Sequence, residues 1–399
     1  MNETVKVYPY RWVVLATYMF INLTIQLLWI SFAPITSMAS EFYGVPELRI
    51  GFLSMLFMIM FIPLSIPASW LIDSRGYRLA VSIGAGLMGI FGLLRGFAGS
   101  SFSIVLWSTV GIAAAQPFLL NSWTTVPAKW FPLKARATMV GLITLANLVG
   151  TGIGMVATPI LAENDMPIST IQLIYGGITA VSSLLFILLA REEPPSPPDT
   201  AGEEVRALVL DGLKHALTVK SFLIYLLVTF IGFGIFNGIT TWIEAMIKPR
   251  GFSPTDAGTL GALMLVGGLL GSVVLPSLSD KFGKRKIFMQ LGILLSIPGL
   301  LGMAYLQSPV FLFAAAFFLG FFLISLGPIG MQYSAEVTVP TPEGTSNGLI
   351  QLFGQVSVVF VYVMGAMRTP EGSFTPSLLL MAGLLVLGLL LSTQMKDPL

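Results

Sequence analysis

Ser69-Trp-Leu-Ile-Asp73-Ser-Arg75-Gly76-Tyr-Arg78 is a short charged turn set between two long apolar runs, and it occurs twice. The echo is Pro276-Ser-Leu-Ser-Asp280-Lys281-Phe-Gly283-Lys284-Arg285, so both copies read Asp-x-x-Gly-x-Arg. A separation of 207 residues between Asp73 and Asp280, about half the chain, makes the pair an internal repeat rather than two unrelated loops. In each copy the Gly permits a tight reversal. The Asp at the end of one helix is placed to cap or pair with the start of the next. The Arg and Lys that follow hold the turn beside anionic headgroups on the cytoplasmic side.

Everything around the turns is apolar. At 55% hydrophobic and 10% charged, with a mean hydropathy of +0.86, the composition lies outside the range of water-soluble domains of 399 residues. It predicts an integral membrane protein. A net charge of +2 gives no reason to expect nucleic acid as a partner. Without cysteine there is no disulfide, thiolate catalysis or thiolate metal site, and the one histidine, His215, falls in a polar connector and reads as a solvated residue. No Gly-x-x-x-x-Gly-Lys-Ser/Thr segment is present, and membrane-depth His, Cys and paired carboxylates are lacking, so neither an ATP-driven pump nor an enzyme is indicated. No cofactor or metal is implied.

Apolar runs fall at 11–38, 47–72, 79–98, 102–128, 137–162 and 168–190, and again at 221–247, 255–279, 287–306, 309–335, 345–367 and 373–394. A span takes about 20 residues, so the chain reads as twelve transmembrane helices in two pseudo-symmetric six-helix bundles. The first run is too long for the apolar core of a cleaved signal and counts as a span. The predicted domains are 1–190, a cytoplasmic linker 191–220 and 221–399. The linker opens on the Pro-rich stretch from Arg191 and carries a short surface helix within Glu203–Lys220. With the N-terminus inside, sixteen Lys and Arg fall on the cytoplasmic side and five outside: Arg49, Arg95, Lys248, Arg250 and Arg368. This bias places both termini in the cytoplasm and the protein in the cell membrane. It also puts Arg95 and Arg368 at outer span ends, leaving no cation at mid-span and arguing against phosphorylated or dicarboxylate solutes.

The repeated turn resembles the loop signature of the major facilitator superfamily, Gly-x-x-x-Asp-Arg-x-Gly-Arg-Arg, found between helices 2 and 3 and between 8 and 9. Both copies depart from it at the leading Gly, which is Ser69 in one and Pro276 in the other. The resemblance implies gating roles for Asp73, Arg75, Gly76, Arg78, Asp280, Gly283 and Arg285. Gly141, Gly150 and Gly154 in the fifth run, with Pro159 beyond, allow close helix approach and a bend. They partly match the superfamily's antiporter motif, but Met155 stands where its Gly-Pro pair would end.

Polar groups at membrane depth are costly unless they face the bundle interior or water. Asn22, Gln26 and Trp29 share one face of the first run, and Phe233, Asn237, Thr240 and Glu244 share one face of the seventh. Asn347, Gln351 and Gln355 line the eleventh, Asn147 lies in the fifth and Gln116 midway along the fourth. Shifted by 207, Trp29 falls beside Asn237 and Asn147 beside Gln355, which suggests a central cavity with Asn22, Gln26, Trp29, Gln116, Asn147, Asn237, Gln351 and Gln355 as substrate contacts. The competing account of each amide is interhelical hydrogen bonding worth about 1 kcal/mol. Trp29 lies near mid-span, away from the interfacial belt, whereas Trp70, Trp107 and Trp130 lie nearer span ends. Glu244 carries a coupling proton, offsets a cationic substrate, or reaches the outer surface near Lys248.

Several stretches are similar to the feline leukaemia virus subgroup C receptor family of transporters. These are Trp29-Ile-Ser, Phe42-Tyr-Gly-Val, Leu53-Ser-Met, Pro67 to Leu79, Gln116, Lys129-Trp-Phe, Asn147, Gly150-Thr-Gly and Gly344-Thr-Ser-Asn-Gly-Leu. That family is linked to choline and ethanolamine transport, with haem export also proposed. The implied choline site has a Trp on the first helix, a Tyr on the seventh and glutamines on the fourth and eleventh. Trp29, Gln116 and Gln355 match, while the Tyr position is Asn237. A monomeric secondary transporter moving a small organic solute, such as a choline-like amine, by alternating access is therefore expected. The alternatives are a proton-coupled carrier of a neutral or monocarboxylate metabolite, an exporter of a hydrophobic compound, and a channel or receptor-like protein.

Overall fold

The computed structural model describes residues 8–196, 209–341 and 343–397. Twelve helical segments in it are long and apolar enough to cross a membrane. The chain divides into two compact units, Met1–Gly202 and Glu203–Leu399. Large apolar side chains such as Ile66 (78% exposed) and Val310 (72% exposed) stand open on the outside of their units, where a bilayer rather than water is the compatible solvent.

The N-terminal unit contains α1 (Arg11–Ile30), α2 (Thr36–Tyr43), α3 (Glu47–Arg75), α4 (Tyr77–Phe97), α5 (Phe102–Leu120), α6 (Thr125–Trp130), α7 (Leu133–Glu163) and α8 (Ile168–Leu189). Its first span is α1 and α2 joined by a 3-10 turn over Ala33–Ile35, with Pro34 inside the turn. Pro117, near the end of α5, weakens the last helical turn, and the fourth span breaks over residues 121–124 before α6. α7 lies tightly along α1 because Gly150 and Gly154 remove the side chains between them. A Cβ on Gly150 would collide with the carbonyl oxygen of Leu23, and one on Gly154 with the Ile30 side chain. Gly141 has open space where its Cβ would be, so it takes no part in this close approach.

The C-terminal unit contains α9 (Val209–Ala216), α10 (Lys220–Ile247), α11 (Pro254–Phe282), α12 (Arg285–Tyr305), α13 (Pro309–Val337), α14 (Glu343–Val356), α15 (Val358–Ala366) and α16 (Thr375–Ser392). α11 starts on a capping box in which Ser253 and Asp256 satisfy each other's backbone N–H, with Pro254 at the first helical position. α10 bends where Trp242 leaves helical dihedrals (φ −100°, ψ 15°), and the eleventh span is cut at Ser357 into α14 and α15. α9 is the short helix of the linker region; residues 197–208 lie outside the described part. His215 on α9 is half-buried with Nδ1 3.0 Å from Thr341 Oγ1, so it is a packing residue and not a solvated one. Trp130 also departs from the span-end reading: it is 3% exposed, and its Nε1 donates to the Tyr77 hydroxyl at 2.9 Å.

Candidate functional site

In the N-terminal unit two of the predicted contact residues, Gln26 and Asn147, meet each other. Asn22 Nδ2 donates to the Tyr18 carbonyl at 2.9 Å, one turn back. Asn147 Nδ2 donates to the Ile143 carbonyl at 3.0 Å, which fixes its amide so that Oδ1 points at Gln26 Nε2, 2.9 Å away. This chain of donors leaves the oxygens of both first-span amides over. Asn22 Oδ1 and Gln26 Oε1 are buried with no hydrogen-bond donor among the described residues, and so is Gln116 Oε1 on α5. Three buried acceptors without donors form a demand for N–H or O–H groups. Trp29, one turn beyond Gln26 on the same helix face, is 8% exposed and makes no ring contact with another described aromatic residue. It sits two residues before Ser31, where α1 has stopped.

In the C-terminal unit Asn237 is 7% exposed, and its Nδ2 lies 3.4 Å from Ser357 Oγ, at the break of the eleventh span. Trp242, at the bend of α10, donates Nε1 to the Val361 carbonyl at 2.8 Å, just past that break. The two interrupted helices thus brace each other where their backbones are irregular, an arrangement tolerated at membrane depth only inside protein or beside a cavity. Gln355 and Gln351 on α14 are half-buried, and no hydrogen bond joins them to another described side chain. Glu244 is 1% exposed, two residues past the bend, which removes the outer-surface alternative for it. The helical turn that follows the bend still carries Lys248 N–H onto the Glu244 carbonyl.

The two turns are wired differently from the expectation. Asp73 is exposed, and it does not cap the next helix. Glu192, 114 residues beyond Arg78 and just after α8, does so: Tyr77 N–H donates to its Oε1 at 3.2 Å and Arg78 N–H to its Oε2 at 2.7 Å. The same carboxylate pairs with Lys129 at the end of the fourth span, and the Tyr77 hydroxyl donates to the Arg191 carbonyl. Arg75 and the Arg78 side chain are exposed. In the second turn Asp280 does pair, with Arg285, and Arg285 Nη2 also lies 3.2 Å from Glu336 Oε1 on α13. Pro276, which stands in place of the signature's leading Gly, lines a cavity of about 350 Å³ together with Asp280, Arg285 and Gln332.

Sequence reasoning missed Glu192 and Arg95. Arg95 does lie in the last turn of its span, but it is 1% exposed and buried against α1, so a span-end position here holds a buried cation. Nothing in the local sequence of α4 says that this side chain meets the end of α1 at Leu28 and Ser31.

The family profile described as the Major Facilitator Superfamily matches residues 15–258 and 243–396. The chain is a member of the major facilitator superfamily. Among curated proteins it is 30% identical to an uncharacterized MFS-type transporter of Caenorhabditis elegans, over 99% of this chain and 70% of the relative. It is 28% identical to the choline/ethanolamine transporter FLVCR1 of Felis catus, over 98% of this chain and 73% of the relative, in line with the resemblance read from Trp29, Gln116 and the first turn. Among solved structures it superposes on a bacterial homologue of the human lysosomal transporter Spinster with a TM-score of 0.78 at 16% identity, covering 99% of both chains. A D-xylose-proton symporter gives 0.74 at 17% identity, covering 98% of both. These two share the fold. The protein is thus a multi-pass membrane transporter of this superfamily, whose partners are a small-molecule substrate and the lipid bilayer.

Proposed function

We propose that this protein is a secondary transporter that carries a small organic ammonium compound across the cell membrane by alternating access, with both termini in the cytoplasm. The reading is supported by buried amide oxygens without donors among the described residues at Asn22, Gln26 and Gln116, the first two on the same helix face as the Trp29 ring. An ammonium group is attracted to the ring face, and its N–H groups meet the acceptors. Relatives named choline/ethanolamine transporters support the substrate class.

The same residues favour one member of that class. A quaternary ammonium has no N–H to give, and the cage that suits it depends on several aromatic faces; here the seventh-span position expected to be Tyr is Asn237. Ethanolamine, whose primary ammonium brings three N–H donors, answers the acceptors better than choline. A hydrogen bond involving a charged group contributes about 1.5–3 kcal/mol, so ethanolamine should bind about tenfold tighter or more. Isothermal titration of the purified protein with ethanolamine, its mono- and dimethyl derivatives and choline tests this. Affinity should fall with each methyl group, and Trp29→Ala should weaken the tightest ligand more than tenfold, a loss of about 2 kcal/mol. Affinity independent of methylation would remove the preference; absence of binding to any of the four, or wild-type binding by Trp29→Ala, would remove the aromatic site.

Glu244 supports a second reading, in which transport is proton-coupled, because a carboxylate this buried beside a helix bend is held where protonation and conformation can be linked. Glu244→Gln should then abolish the pH-dependence of accumulation while leaving exchange intact. If it instead weakens ammonium binding wherever the wild-type carboxylate is ionised, Glu244 offsets the substrate's charge.

A further inference from the structure

Arg95 reaches from α4 into the break of the first span. Its Nη2 donates to the Leu28 carbonyl at 3.1 Å and lies 3.2 Å from Ser31 Oγ, while the guanidinium carbon sits 5.3 Å from the centroid of the Phe32 ring. Ser31 Oγ is itself 3.1 Å from the Leu28 carbonyl and 3.4 Å from Gln172 Oε1 on α8. The Leu28 carbonyl belongs to the last turn of α1, where the helix's own donors run out. Arg95 therefore supplies a donor and a positive charge at the negative end of the helix dipole. Among the described residues no carboxylate is paired with it. A buried cation without a carboxylate is costly inside a membrane domain. A role confined to anchoring α4 would be served at far lower cost by an apolar side chain.

Trp29 lies inside the clamped segment, between Leu28, whose carbonyl Arg95 holds, and Ser31, whose hydroxyl it contacts. We infer that Arg95 is a positioning residue for transport: it holds the break of the first span in one geometry and thereby sets the place of the Trp29 ring. This rests on the reading of Trp29 as a substrate contact, but its first consequence, the local rigidity of residues 29–36, does not.

The experiment compares wild type with Arg95→Gln, Arg95→Lys and Ser31→Ala. Hydrogen–deuterium exchange is followed over the whole N-terminal unit, and ethanolamine binding and exchange in proteoliposomes are measured alongside. Arg95→Gln should speed exchange at residues 29–36 with the rest of the unit unchanged, and should weaken ethanolamine about tenfold or more, as expected for loss of a charged hydrogen bond that fixes a contact residue. Arg95→Lys keeps the charge without the planar fork and should recover only part of that loss. Ser31→Ala should show the same local effect, smaller. Unchanged exchange at 29–36 in folded Arg95→Gln, or an increase spread over all of α1 to α8, overturns the inference. Should Arg95→Gln fail to fold, wild-type exchange at 29–36 in both other variants overturns it. If ethanolamine does not bind wild-type protein, the substrate reading fails while the exchange data still decide the role of Arg95.

Discussion

The turn at Gly76 and the turn at Gly283 share Asp-x-x-Gly-x-Arg, yet they are held by opposite means. At Gly76 (φ 88°, ψ 157°) the backbone occupies a region open in practice only to glycine, and the Glu192 carboxylate fills the space where a Cβ would go. At Gly283 (φ 63°, ψ 28°) the backbone is ordinary left-handed helix-capping geometry, with nothing within reach of a Cβ. The first turn is tied by an acid brought from after α8; the second is tied by its own arginine, Arg285, to Asp280 and to Glu336. Lys129 and Glu336 stand 207 residues apart at corresponding span ends with opposite charge. The repeated motif therefore keeps a positive-φ glycine at each reversal, while the backbone geometry and the charges that secure it differ.

The largest effect that tests this contrast is expected from Gly76→Ala. Backbone strain and displacement of Glu192 together should cost about 3 kcal/mol, against about 1 kcal/mol for Gly283→Ala in left-handed geometry. Thermal unfolding in detergent measures both, and equal losses would break the distinction. Next comes Glu192→Gln, which keeps an acceptor for the start of α4 but forfeits the Lys129 pair. With both partners about a third exposed (34% and 30%), the loss should be about 1 kcal/mol, diminishing as salt is raised. Charge reversal sharpens the comparison further. Lys129→Glu and Glu336→Lys each set like charges together in one unit, by Glu192 and by Arg285 respectively. The second should be the worse, since the Arg285 side chain is only 15% exposed. Smallest in stability is Asp73→Asn, expected within about 0.5 kcal/mol because the side chain is an exposed surface position. Any fall in its transport rate with ligand binding intact would then measure gating alone.

The twelve spans and the repeat were legible because apolar length and a motif at half-chain spacing are properties of the linear sequence. The polar face of Asn22, Gln26 and Trp29 was legible for a similar reason: helical periodicity fixes which residues share a side. What could not be read was long-range pairing among equals. Glu192 is one of two adjacent glutamates before a Pro-rich stretch, and nothing local says that it will cap a helix starting at Tyr77. Arg95 was rightly placed at a span end, but that position alone does not say that the side chain is buried against Leu28 and Ser31 of the first span. The breaks at Ser31 and Ser357 were also not read; polar groups from other helices meet both, Arg95 and Gln172 at one and Asn237 at the other.

The seam of α1 and α7 constrains what descent can alter. Gly150 meets main chain, the Leu23 carbonyl, so no substitution there can be accommodated by trimming a neighbour. One turn away, Gln26 and Asn147 meet through side chains alone. A single codon change at either can add, remove or reverse a hydrogen-bonding group without disturbing the frame. Positions 26 and 147 can therefore vary in hydrogen-bonding character without disturbing the packing of the two helices, whereas position 150 is closed to any side chain.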